Sequence, residues 1–210
     1  MMRTVLLKEL NRTVALTLLA TVALVGVFWT VDLAHSATTS SVTVSATVTN
    51  TVSCSSDQSS TSFGTLSSLV VSTSTPNVVS NLSCNSGGGC TLNVQDAGNT
   101  SSPGLYAAAA TSSPIILSST ATLSAGTEGY GIQATNTPSG SGAVLTVNAT
   151  YLHATSTLAV GGLTIANAVL ASSILPISNR QVAVAHAVAI SGLTKAGAYA
   201  DTITYSCTGN

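Results

Sequence analysis

The stretch from residue 182 to residue 190 reads V-A-V-A-H-A-V-A-I and alternates strictly between two sets of side chains. Alternation with a period of two residues is typical of a β-strand that buries one face. Val182, Val184, His186 and Val188 lie on the face that we expect to point into the core, with alanines on the other face. This segment predicts a β-strand, and similar segments elsewhere predict an all-β protein.

Five further segments show the same alternation, at residues 42–54, 78–84, 90–94, 144–151 and 199–207. Gly-rich and Pro-containing turn signals separate them, at intervals of roughly ten to twenty residues, a spacing that favours an antiparallel β-sandwich of Ig-like or pilin-like type. Residues 166–175 are compatible with a short helix, and equally with a turn or an irregular edge strand that ends before Pro176.

Residues 1–37 have the three-part organisation of an export segment. Arg3, Lys8 and Arg12 precede an uncharged run over residues 13–30, and small residues follow at 34–37. The run is longer than the core of a cleaved signal, about 7 to 15 residues, and close to the roughly 17 to 25 that span a bilayer. We therefore expect residues 1–37 to be a signal peptide cleaved near Ser36 or Ala37, or an N-terminal membrane anchor helix.

Residues 38–210 are expected to form a single disulfide-bonded β-sandwich domain that is extracellular or at the cell surface. The chain is 45% hydrophobic, so it should fold despite its low charge. After residue 37 it has two basic and four acidic side chains, namely Arg180, Lys195, Asp57, Asp96, Glu128 and Asp201. So few ionisable groups leave little material for acid–base or metal chemistry and no electrostatic attraction to nucleic acid.

The acidic residues do not suggest a catalytic pair. Glycoside hydrolysis needs two carboxyl groups, and Glu128 is the only glutamate after the export segment. Asp57, Asp96 and Asp201 occupy turns or strand starts, where solvated or backbone-bonded roles are ordinary. We predict no catalytic residue, no cofactor and no bound metal, and hence a protein that is not an enzyme.

Three local patterns with a possible chemical meaning have a structural interpretation that we prefer. His186 lies on the apolar face of its strand, as an interior histidine does. Residues 129–134, G-Y-G-I-Q-A, match a dinucleotide fingerprint, but no helix follows, so a strand with close backbone approach is predicted. Asp96, Gly98 and Asn99 could offer oxygens to calcium, yet a turn explains the same residues.

The four cysteines, Cys54, Cys84, Cys90 and Cys207, follow an export segment and are expected to form disulfides. Each occupies the inward parity of its own strand. We favour pairing Cys54 with Cys84 and Cys90 with Cys207, because Cys84 and Cys90 face inward on consecutive strands that we expect in opposite sheets. A local bridge between Cys84 and Cys90 is the alternative.

An alternating apolar row also lies just before the first cysteine and consists of Val42, Val44, Ala46 and Val48. Such a row fits the first strand of the domain itself, since Cys54 continues it. It also fits a donor strand that completes the sheet of a neighbouring molecule. The first-strand interpretation is preferred, and the donor strand is kept as the sharper alternative.

Several short motifs carry a family resemblance. Residues 196–205, A-G-A-Y-A-D-T-I-T-Y, resemble the closing A-G-x-Y-x-D-T-hydrophobic-T strand of bacterial exported β-sandwiches of the spore coat protein U and fimbrial-subunit type. Cys54, then S-F-G-T-L at 62–66 and L-S-C at 82–84, resemble their first cysteine, F-G turn and second cysteine. The first two cysteines are bridged in that family, which implies the pairing favoured above. The additional Cys90 and Cys207 and the long middle at 112–179 depart from the pattern.

The resemblance implies an exported structural role with no catalytic residues to carry over. We therefore expect a non-catalytic cell-surface structural or adhesive protein, such as a coat, appendage or fimbrial-type subunit. Its expected partners are further copies of itself or other surface proteins, and it would meet a membrane only through an uncleaved N-terminal segment. The alternative is a secreted carbohydrate- or ligand-binding β-sandwich module that displays tyrosines such as Tyr130 or Tyr151.

Overall fold

The computed structural model describes residues 2–29, 38–110, 115–154 and 157–210. The chain divides into two compact units, one that ends at Thr47 and one that runs from Val48 to Asn210. The first contains helix α1 (Met2–Trp29). Among the described residues, no helix has the length and apolarity needed to cross a membrane. The predicted cleavage position at Ser36 or Ala37 lies outside the described residues.

The second unit contains β-strands joined by turns. In chain order they are β1 (Val52–Ser56), β2 (Ser72–Thr73), β3 (Val78–Cys84), β4 (Cys90–Asp96), β5 (Gly104–Tyr106), β6 (Ile115–Leu117), β7 (Ala121–Thr122), β8 (Gly129–Thr137), β9 (Ser141–Gly142), β10 (Thr146–Val147), β11 (Ala159–Val160), β12 (Ala168–Ser173), β13 (Ile177–Ala189) and β14 (Ile203–Gly209). The all-β class predicted from the sequence is confirmed.

Two antiparallel sheets supply the main core. The first has the strand order β1-β3-β13-β2, and β8 and β9 also pair with β13. The second has the order β10-β12-β4-β14. The described residues also form two small sheets, β11-β7 and β5-β6, and several isolated bridges. Buried residues of both main sheets, such as Leu82 and Val182 of the first and Leu92 and Leu170 of the second, belong to one hydrophobic cluster.

The sequence pattern predicts burial well where one strand face meets the core. β3 and β4 alternate between buried and half-buried residues over their whole length. β13 differs, because the face carrying alanines is covered as well. Ala187 and Ala189 pack with Leu123 and Val160 in a second, smaller core.

Two sequence predictions of local structure are corrected. Within residues 144–151 only Thr146–Val147 is a strand, and residues 149–151 lie in a turn. Residues 168–173 form β12, which lies between β10 and β4 and is neither a helix nor an edge strand. Its pairing with β4 shifts in register between Val169 and Ala171, which explains its irregular apolar pattern.

The favoured disulfide pairing is wrong. The structure joins Cys54 to Cys207 and Cys84 to Cys90, with Cα–Cα distances of 5.8 and 6.2 Å. The register explains the difference, because Cys54 lies opposite Leu82 on β3 and Cys84 lies opposite Val52. Directly opposite positions approach most closely, and diagonal ones are about 7–8 Å apart, too far for a disulfide.

The observed bridges both connect the two main sheets. Cys84 ends β3 and Cys90 begins β4, and the turn between them brings these ends together. Cys54 and Cys207 join β1 and β14, which are edge strands of different sheets. Cys84 and Cys90 are buried as predicted, but Cys207 is half-buried and Cys54 is exposed.

Candidate functional site

The segment before β1 presents an unpaired apolar row. Residues 38–51 contain no strand, and Val42, Val44 and Val48 are 83%, 89% and 84% exposed. Ala46 is exposed as well. The structure therefore does not place this row in the first strand of the domain, which begins only at Val52. We call residues 38–48 the extension.

We call residues 49–210 the body. Asn85, which follows β3, fixes the start of the body, between the extension and β1, to the sheet. The Asn85 side chain accepts a hydrogen bond from the Thr51 N–H at 2.7 Å and donates one to the Thr49 carbonyl at 2.8 Å. The Asn85 backbone N–H also donates to the Thr51 carbonyl at 3.2 Å. These contacts hold Thr49 and Thr51 in place, and the extension lies just before them in the chain.

A groove of about 1120 Å³ opens into the core of the body. Its walls are the segments 58–66 and 194–205. Apolar residues that are packed against the core but only half-buried line it, and they are Phe63, Leu66, Ile190, Tyr199, Ile203 and Tyr205. The row of β14 that the sequence predicts to point inward is therefore only partly covered.

The floor of the groove is formed in part by Tyr130 and His186. Their rings are stacked with centroids 6.5 Å apart, and Phe63 meets Tyr130 edge-on at 6.2 Å. His186 is buried, as the sequence predicts, and its Nδ1 lies 3.3 Å from the Ser74 hydroxyl. Burial lowers the pKa of His186 to about 4. This part of the floor is therefore uncharged at neutral pH.

Two carboxyl groups meet at one end of the groove. Asp201 lines the groove, and Asp96, at the end of β4, is 1% exposed and within hydrogen-bonding reach of Asp201. Burial, followed by the charge of Asp201, raises the pKa of Asp96 to about 7. Burial also raises the pKa of Asp201 and of the neighbouring Tyr130 and Tyr205.

The burial of Asp96 contradicts the solvated role that the sequence allows for it, whereas Asp201 is backbone-bonded, as the sequence predicts, through Gly98 and Thr202. A signal was present, because Asp96 continues the inward row of Leu92 and Val94, and Asp201 lies on the inward row of Ile203. Both carboxyl oxygens of Asp96 are shielded from solvent.

The other candidate positions have structural roles. Gly129–Thr137 is a strand, as predicted, and not a nucleotide-binding turn. Asn99 accepts hydrogen bonds from the backbone of Ser101 and Ser102, which confirms the predicted turn. Glu128 accepts a hydrogen bond from the Thr194 hydroxyl. No group of three potential metal-ligating side chains occurs in the part of the chain that the structure describes.

The second unit is therefore an all-β domain with antiparallel sheets, two disulfides that join the main sheets, and a groove that is lined in part by half-buried apolar residues. No family model matches the chain, and it matches no curated protein and no solved structure.

Proposed function

We propose that this chain is an exported, non-catalytic structural subunit of a cell-surface coat or fimbrial-type appendage, with a pilin-like β-sandwich as its body. In this proposal, copies assemble when the extension of one copy enters the groove of the next as an additional strand. The observation that carries the proposal is the exposed alternating row Val42, Val44 and Val48 in a chain whose body has an open groove with half-buried apolar residues in its lining.

The shape of the extension supports this role. In an extended strand the step of about 3.3 Å per residue puts Val42 and Val48 roughly 20 Å apart on one face. Burial of each valine is worth about 1.5–3 kcal/mol, so three of them offer about 5–9 kcal/mol before the costs of association. The half-buried apolar residues of the groove would also become more buried when the extension enters.

The charge distribution supports it as well. Residues 38–51 contain no acidic or basic side chain. Groove entry would therefore bury no ion of the incoming strand, and assembly should depend little on salt. The two disulfides support export, because such bonds persist mainly in oxidising compartments.

The ligand-binding alternative loses its aromatic candidates. Tyr130 is 2% exposed and Tyr151 is 3% exposed, so neither offers a ring face to a sugar.

Val44→Asp tests the proposal, with Thr43→Asp as the matched control on the opposite face of the same strand. A charge placed against the apolar residues of the groove should weaken assembly by about 100-fold or more, whereas the control should assemble nearly as the unaltered chain does. Analytical ultracentrifugation and electron microscopy of the full chain report assembly. Thermal unfolding reports whether the body is intact in both variants.

Mixing two defective variants tests the direction of the contact. Val44→Asp keeps an intact groove, and Leu66→Glu keeps an intact extension while its groove carries a charge. Each should be monomeric alone, and an equimolar mixture should give dimers that contain one copy of each. Equal assembly by the Val44→Asp and Thr43→Asp variants, or assembly that disappears at moderate salt, would contradict strand donation.

A further inference from the structure

Asp96 and Asp201 come from two chain segments that meet at the end of the groove. Asp96 is the last residue of β4, and Asp201 lies just before β14, two residues from the Asp96 partner Ile203. The backbone joins the segments here too, since the Ala97 N–H donates to the Thr202 carbonyl at 3.0 Å. The carboxyl pair therefore sits where one groove wall is attached to the second sheet.

The hydrogen-bond donors around the pair are unequally shared. Oδ1 of Asp201 accepts from the backbone N–H of Gly98 at 3.1 Å and of Thr202 at 2.7 Å, and Oδ2 accepts from the Tyr130 hydroxyl at 3.5 Å. Neither oxygen of Asp96 accepts a hydrogen bond from an N–H or O–H group in the described part of the chain. Asp201 is thus equipped to be the anion, and Asp96 is not.

The other ionisable groups near the pair do not supply a counter-charge. Tyr130 from β8 and Tyr205 from β14 are the phenols beside it, and His186 from β13 stacks behind Tyr130. The loop 97–104 contains no ionisable side chain. No lysine or arginine within the described ranges affects the pKa of either carboxyl group. Two adjacent buried carboxylates without a cation repel each other strongly, and one of them is driven to keep its proton.

We propose that Asp96 and Asp201 share one proton, with Asp96 as the donor, and that this proton fastens the wall of the groove at residues 198–202 to the second sheet. Loss of the proton leaves two negative charges in one site and loosens that wall. The adjacent bridge from the Tyr106 N–H to the Ala200 carbonyl, 2.8 Å long, belongs to the same attachment. The body is then held more tightly at acidic than at alkaline pH.

The direction follows from proton linkage. The pKa of Asp96 is about 7 in the folded chain, against an ordinary value of 3.8 that we take for the unfolded chain. The protonated Asp96 therefore adds its full contribution to the free energy of unfolding below pH 3.8, and this contribution is lost as the pH rises through 7. His186 acts in the opposite direction, because its folded pKa of about 4 lies below the ordinary 6.5. Asp201, whose pKa burial also raises, acts in the same direction as Asp96. The contributions of the carboxyl pair and of His186 partly cancel in the unaltered chain, and a variant is needed to separate them.

Asp96→Asn is the decisive variant. Its amide can donate to Asp201 as the protonated acid does, but it cannot ionise. Melting temperatures of the full chain are measured at a concentration where sedimentation shows one species. The melting temperature of Asp96→Asn minus that of the unaltered chain should therefore increase as the pH rises. We expect the difference to grow by about 5 °C between pH 5 and pH 8. His186 titrates in both proteins, so its effect cancels in the difference.

Asp57→Asn is the matched control, because Asp57 also accepts a backbone hydrogen bond, from Val79 at 2.7 Å, but is exposed and does not act on the pKa of Asp96 or Asp201. Its difference from the unaltered chain should stay constant over the same range. Carboxyl-carbon NMR should show one aspartate that titrates near pH 7 and disappears in Asp96→Asn. The proposal would be overturned if the melting-temperature difference did not grow with pH, or if that titration were absent.

Added calcium tests a metal site instead of a shared proton. If calcium raised the melting temperature at pH 8 in the unaltered chain but not in Asp96→Asn, the proposal would also be overturned.

Discussion

Removal of the Cys54–Cys207 bridge should be the most destabilising loss of a cross-link in this protein. The bridge closes a loop with a sequence separation of 153 residues, which is most of the body. In the chain-entropy account, a loop of this length stabilises the fold by about 5 kcal/mol at 25 °C. The bridge between Cys84 and Cys90 has a separation of 6 and is worth only about 2 kcal/mol by the same relation.

The double variants Cys54→Ala/Cys207→Ala and Cys84→Ala/Cys90→Ala test this reasoning. Cys84 and Cys90 are 4% and 0% exposed, so their replacement also removes buried packing. Stability alone therefore does not separate the two bridges cleanly. The denaturant dependence does, because the long loop restricts the unfolded chain and the short one hardly does.

Guanidinium unfolding followed by far-ultraviolet circular dichroism gives both quantities. For the Cys54 and Cys207 variant we expect a loss of about 5 kcal/mol together with a larger m-value, since the unlinked chain exposes more surface when it unfolds. The Cys84 and Cys90 variant should keep its m-value. An unchanged m-value in the first variant, or a loss below about 1.5 kcal/mol, would refute the entropic reasoning.

Two further predictions concern packing and backbone. Leu82→Ala, at a site that is 1% exposed, should cost about 2–5 kcal/mol in chemical denaturation, whereas Leu193→Ala, 92% exposed, should change stability by less than about 0.5 kcal/mol. Gly89→Ala should cost more than about 2 kcal/mol, because Gly89 has φ +88° and an added Cβ would overlap the Ser173 carbonyl. Gly87→Ala, two residues away with open space around it, should be nearly neutral in the same assay, and similar losses at both glycines would contradict the assigned turn.

The sequence predicted strands best where the alternating row has one covered face. β3 and β4 match the prediction closely, because their rows of larger residues point to a single core. The prediction of a strand over residues 144–151 was mostly wrong. β-Branched residues are dense there, but Asn148 and Tyr151 take part in a turn. The alanine face of β13 was assigned to the surface because alanine fits either environment, and only the packing of Leu123 and Val160 shows that it is covered.

Parity along a strand was sufficient to find inward residues but not their partners. It placed Cys84 and Cys90 in the core correctly, yet the pairing depends on register between strands far apart in sequence. The carboxyl pair was missed for the same reason. Asp96 and Asp201 are 105 positions apart in the sequence. Only the pairing of β4 with β14 brings them together.

By itself, the sequence determined that this protein is all-β, has few charges, carries four cysteines and bears an alternating valine row before the first of them. These are local properties, fixed by the period of two residues along a strand and by composition. Tertiary structure alone decided that the valine row is unpaired, that the groove is open and that two acids share one site. Such features depend on which strands become neighbours and in what register, and no short stretch of sequence contains that information.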